Sequence, residues 1–135
     1  MTLPHDLAEL SREDFVLLTT FRRDGREVPT PVWIAQLDDQ LVVSTPEGTG
    51  KLKRLKHTPR VSLQPCSRRG VPREGTPVVT AHATVSRDPQ VIEGAESALA
   101  AKYKLQWRVV LLIEKVVRRG KEKPRPVIGL SEAHQ

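Results

Sequence analysis

The chain has 135 residues, which fits one domain, taken as residues 1–135. It is 38% hydrophobic and 28% charged, and no run approaches the length of a membrane-spanning helix. Its net charge is +6 and Cys66 is its only cysteine, which excludes an intramolecular disulfide and a cysteine-rich zinc site. With no basic and apolar leader at Met1–Leu7, a cytoplasmic protein is expected.

Charge is unevenly spread. Residues 1–50 carry a net −5, residues 51–75 a net +7, and residues 76–135 a net +4. A central basic patch points to a polyanionic partner: nucleic acid, an anionic surface or a phosphorylated cofactor. A solvated basic face is the plainer reading.

Leu3–Leu10 has the spacing of a short amphipathic helix, and Ser11 with Asp14 is placed to cap a further turn. Phe15–Phe21 is rich in β-branched and aromatic residues and reads as a strand. Asp24-Gly25 then signals a hairpin, since Gly accepts the positive φ of the turn. Pro31–Leu37 is the return strand, and Leu41–Thr45 follows it. Gly48–His57 reads as a basic helix packing through Leu52 and Leu55, stopped by Pro59. Arg60–Cys66 and Val78–Val85 are strands; in the second, Val79, Ala81, Ala83 and Val85 share a face. Asp88-Pro89 opens a helix of about 15 residues, with Asp as N-cap and Pro in the first turn. Trp107–Val117 and Val127–Leu130 complete the strands.

The expected fold is mainly β (α+β), with six to seven mostly antiparallel strands and short helices. Strands joined by tight turns favour a small barrel over a doubly wound sheet.

Acid–base constellations are scarce. His5, His57, His82 and His134 lack metal-ligand spacing, so no metal is expected. Cys66 reads as a buried strand-end residue. Thr45–Lys51 superficially follows a nucleotide P-loop. Thr45 stands where the first Gly is required, and Leu52 where Ser or Thr should be. The loop still opens a helix, whose N-terminus favours anions. Ser44, Thr45 and Thr49 add hydroxyls; Lys51, Lys53 and Arg54 add charge. A phosphate between loop and side chains is the sharpest local inference, against a basic helix that merely packs through its leucines.

Thr20-Phe21-Arg22, Gly25 and Val28–Trp33 resemble the opening hairpin of the flavin/deazaflavin oxidoreductases. These are the split β-barrel proteins related to pyridoxamine 5′-phosphate oxidase. Ser44-Thr45, Gly50–Leu55 and Pro59–Val61 resemble their next block, in an order that suits the branch using the deazaflavin coenzyme F420. The resemblance implies an FMN-binding-type split barrel and a homodimer with cofactor sites at the subunit interface. It implies that Thr30, Pro31, Val32 and Trp33 lie along the tricyclic ring and that Ser44 and Thr45 lie near the ribityl chain. Thr49, Gly50, Lys51, Lys53 and Arg54 would hold the phosphate, with Lys51 and Lys53 both open as the direct contact.

The implied function is a reductase passing hydride from reduced coenzyme F420 to a small organic acceptor. An FMN-dependent oxidoreductase on the same fold is the alternative, followed by a non-enzymatic binder of cofactor or polyanion. Arg68, Arg69 and Arg73 could extend the field towards the coenzyme's oligoglutamate tail. Trp33 could wall the substrate pocket or serve the core; Tyr103 and Trp107 read as core or interface residues. The resemblance implies no catalytic proton donor among these residues. With no long apolar run, no membrane partner is expected; nucleic acid is disfavoured, because Tyr and Phe do not interleave with the basic residues to form a stacking platform.

Overall fold

A computed structural model describes residues 3–104 and 125–133. Along the chain come α1 (His5–Leu10), β1 (Val16–Phe21), β2 (Glu27–Val32), β3 (Ala35–Leu37) and β4 (Gln40–Ser44). There follow α2 (Gly50–His57), β5 (Arg60–Pro65), β6 (Val79–Ser86), α3 (Pro89–Tyr103) and β7 (Val127–Glu132). The expected strand at Trp107–Val117 lies outside the described residues, as does Trp107 itself.

Among the described residues all strand pairs are antiparallel, in the order β2-β1-β5-β6-β7-β4-β3. The strands at the two ends of this order, β2 and β3, are therefore neighbours in sequence. Three peptide links join Val32 to Ala35, spanning at most about 11 Å. Seven flat strands would put their edges about 29 Å apart. The sheet must therefore curl into a barrel, with the Trp33-Ile34 link bridging its edges.

This corrects the expectation of one strand over Pro31–Leu37. The run is two strands, β2 pairing with β1 and β3 with β4. The break carries no Gly or turn signal of its own; barrel closure imposes it. Ser11 is a second correction. It opens no new turn but closes α1, its hydroxyl donating to the Ala8 carbonyl at 2.6 Å. The hairpin forms as expected, with Gly25 at φ +89° and the Arg22 N–H bonded to the Arg26 carbonyl.

Alternation divides each strand into two faces. One face lines the barrel interior: Val16, Leu18, Leu41, Val43, Val61, Leu63, Ile128 and Leu130, with Ala81 and Ala83. Leu7 and Leu10 of α1, and Leu52 and Leu55 of α2, join this cluster. The other face is covered locally by α3, whose Ile92, Ala95, Leu99 and Tyr103 form one stripe against Ala35, Val42 and Val127. Asp88 caps α3 by accepting from the Gln90 N–H at 2.9 Å. Gly94 permits this packing, because a Cβ there would lie 3.3 Å from the Leu37 side chain.

Candidate functional site

The last turn of α3 reaches the Trp33-Ile34 link. Tyr103 is buried, and its hydroxyl accepts from the Ile34 N–H at 3.0 Å and donates to the Asp14 carbonyl at 2.8 Å. Its ring stacks on Trp33 with centroids 4.6 Å apart and planes 12° from parallel. Lys102 donates to the Glu13 and Ile34 carbonyls, both at 2.6 Å. Burial lowers the Lys102 pKa to about 8 and raises that of Tyr103 to about 12. The link that closes the barrel is thus clamped from α3, and the clamp sets the plane of Trp33.

Trp33 forms one wall of an open cleft of about 300 Å³. Pro31 and Val32 continue this wall; Phe15 and Leu99 add apolar surface. Opposite stand Ser44, Thr45, Pro46, Lys51 and Arg125. The cleft lies on the α3 side of the sheet, since Ser44 pairs with Val127 on the face α3 covers. Thr45 is buried, its hydroxyl 3.4 Å from that of Thr49. Thr49 is the N-cap of α2 but makes no side-chain capping bond, leaving that turn's N–H groups uncapped by it. Arg125 donates from Nε to the Ser44 hydroxyl at 2.8 Å and from Nη2 to the Ser44 carbonyl at 3.2 Å.

The electrostatics favour an anion. The Lys51 pKa is lowered, first by burial and then by Arg54 and Arg125. The Arg125 pKa is lowered by burial, with Glu96 pulling it back up. Two half-buried cations therefore face one cleft, and no carboxylate lines it among the described residues. A phosphate would relieve both their repulsion and their desolvation.

Of the residues expected at the site, Pro31, Val32, Trp33, Ser44, Thr45 and Lys51 line this cleft. Thr49 adjoins it through Thr45. Thr30, paired with Leu18 two residues before Val32 on β2, does not line it. Gly50, Lys53 and Arg54 face a second cleft on the other side of α2. Leu52 and Leu55 bury the inner stripe of that helix, and at 100° per residue Lys51 flanks the stripe while Gly50, Lys53 and Arg54 point outward.

Arg68, Arg69 and Arg73 are exposed on the loop after β5 and line neither cleft. That loop adjoins the first cleft through Gly70, where a Cβ would lie 3.4 Å from Pro31. Arg125 was missed from the sequence. Its signal is Pro124-Arg125-Pro126 just before the last strand, a bracket that holds Arg125 extended.

Fold and cleft together define a split β-barrel, mainly β with a few short helices. The chain belongs to the pyridoxamine 5′-phosphate oxidase family, whose match covers residues 3–126. No curated protein sequence matches it. Among solved structures, it is similar to the haem storage protein HutZ of Vibrio cholerae, at 13% identity and a TM-score of 0.67, covering 100% of this chain and 93% of that one. It is also similar to a conserved hypothetical protein of Mycobacterium tuberculosis, at 15% identity and a TM-score of 0.64, covering 99% and 87%. A third is a heme binding protein of Mycobacterium smegmatis, at 18% identity and a TM-score of 0.53, covering 93% of this chain and 48% of that one. At these identities the likeness is one of fold. Among the described residues, no three of His, Cys, Asp and Glu converge as a metal site would require. No helix among them is long and apolar enough to cross a membrane.

Proposed function

We propose that the chain is an oxidoreductase that binds coenzyme F420 in the cleft beside Trp33 and reduces a small organic acceptor. The observation that carries this reading is the pairing of an aromatic wall with Lys51 and Arg125 in one cleft. That donor set fits a tricyclic ring bearing a phosphate. When bound and reduced, the deazaflavin supplies a hydride from its central ring carbon.

The chain's own residues do the rest. Pro31, Val32 and Trp33 provide the apolar surface for the ring, and the Tyr103 stack holds Trp33 in place. Lys51, Arg125 and the hydroxyls of Thr45 and Thr49 hold the phosphate, with Ser44 fixing the Arg125 guanidinium. Lys51, rather than the exposed Lys53, makes the direct phosphate contact. Phe15 and Leu99 keep water from the ring's end of the cleft.

The subunits pair as a homodimer in this reading. Val71 and Val78, 62% and 60% exposed on the loop between β5 and β6, offer apolar surface to a second copy. FMN is the alternative cofactor, since the same donors suit its single phosphate.

Fluorescence titration with coenzyme F420 beside FMN, in moderate salt, tests the reading. Tighter F420 binding, followed by acceptor-dependent oxidation of the reduced coenzyme, is the expected result. Preference for FMN moves the protein to the flavin alternative, and binding of neither overturns the cofactor assignment.

A further inference from the structure

The second cleft is larger, about 770 Å³, and lies between the β1–β2 hairpin and the outer face of α2. Its chemistry differs from that of the first. Arg22, Arg23 and Arg26 come from the hairpin; Lys53, Arg54 and Lys56 come from the helix. The one carboxylate lining it among the described residues, Asp24, is engaged by Arg26 at 2.8 Å.

Arg54 is held in place at this cleft. Its Nε donates to the hydroxyl of fully buried Thr20 at 2.6 Å. Its guanidinium folds across Gly50, where a Cβ would lie 2.6 Å from Nη1. A β1 hydroxyl and the missing side chain at position 50 together fix a guanidinium that would otherwise swing freely. Preorganisation of this kind lowers the entropic cost of binding. Partial burial and the nearby Arg22 both lower the Arg54 pKa.

We propose that this cleft is a second anion site, anchored on Arg54, that takes a small multivalent oxyanion. Cations stand on both walls, so the fitting ligand carries several negative charges along a short chain, as a triphosphate or a run of carboxylates does. A nucleic-acid backbone fits less well, because among the described residues no Phe, Tyr or Trp lines the cleft, only His57. The site is separate from the one beside Trp33 and stands whether or not that one binds a flavin.

Isothermal titration of the full chain at low ionic strength tests it, with sodium tripolyphosphate and tetraglutamate as the two probes. One equivalent of at least one probe binds, and the probe that binds tells a phosphate chain from a carboxylate chain. Arg54→Gln weakens that binding about tenfold, the loss of one charge-assisted contact. The Lys53→Gln/Lys56→Gln double variant weakens it too; both residues are exposed, so it serves if Arg54→Gln fails to fold. Binding of neither probe overturns the proposal. So does loss of binding in Lys51→Gln with Arg54→Gln unaffected, which assigns the anion to the neighbouring cleft. Tight binding of a DNA duplex without binding of either probe overturns it as well.

Discussion

Two clefts share one helix and handle charge in opposite ways. On the Trp33 side, two half-buried cations meet an aromatic and proline wall. On the hairpin side, charges crowd a broad and mostly exposed concavity. Along the sequence, Lys51, Lys53 and Arg54 form one basic patch. The helical turn and the burial of Leu52 and Leu55 divide it between two surfaces. Only the first surface offers shape as well as charge. A bound ring there gains from apolar burial, which salt does not screen, whereas an anion in the second cleft depends on screened charge.

The largest expected effect on this comparison comes from the support under the first cleft. Leu99 is fully buried against the outer face of the sheet and also lines the cleft. Leu99→Ala removes about 2–5 kcal/mol of stability. In chemical denaturation the midpoint falls while binding of tripolyphosphate to the hairpin cleft is retained in the folded fraction. Tyr103→Phe comes next, at about 1–3 kcal/mol, because it leaves the Ile34 N–H without its hydroxyl acceptor. It also loosens Trp33, and the shift appears in tryptophan emission.

A smaller effect is expected at Gly50. Gly50→Ala improves helix propensity but pushes the Arg54 guanidinium off its seat. Stability changes by less than about 1 kcal/mol, and the hairpin cleft loses anion affinity while the Trp33 cleft keeps its own. Equal loss at both would break the comparison.

The smallest effect is in the pH profile. Lys102 has a pKa of about 8 in the fold against 10.5 ordinarily. Between those values the unfolded chain binds more protons, so Lys102 adds stability as pH rises from about 8 towards 10.5. Tyr103, raised from 10 to about 12, acts oppositely: its contribution is present below pH 10 and fades as pH climbs to 12. Thermal midpoints of Lys102→Met compared with the parent chain should lack the rise between pH 8 and 10. An unchanged slope would remove Lys102 from the clamp's titration.

Much of the fold was legible because it depends on local signals. The Asp24-Gly25 turn, the Asp88 cap and the alternation in β6 each act within a few residues. The break at Trp33-Ile34 was not, because it is set by closure between edges that are adjacent in sequence but belong to opposite ends of the sheet. At the candidate site, the loop from Ser44 to Lys51 was readable from its hydroxyls and charge. Arg125 was not, since its partner Ser44 lies 81 residues away. The separation of Lys51 from Arg54 was hidden as well, because both were expected to hold one phosphate. Arg54 turns instead to Thr20, a buried hydroxyl on a different element.

The central claim is that Lys51, in the aromatic cleft, meets the phosphate of a bound deazaflavin. The most direct measurement is a paired fluorescence titration of parent and Lys51→Gln with coenzyme F420 and with its phosphate-free chromophore. The account predicts that Lys51→Gln weakens coenzyme F420 about tenfold or more and leaves the phosphate-free chromophore within about twofold. Equal weakening of both ligands, or none of either, would contradict it.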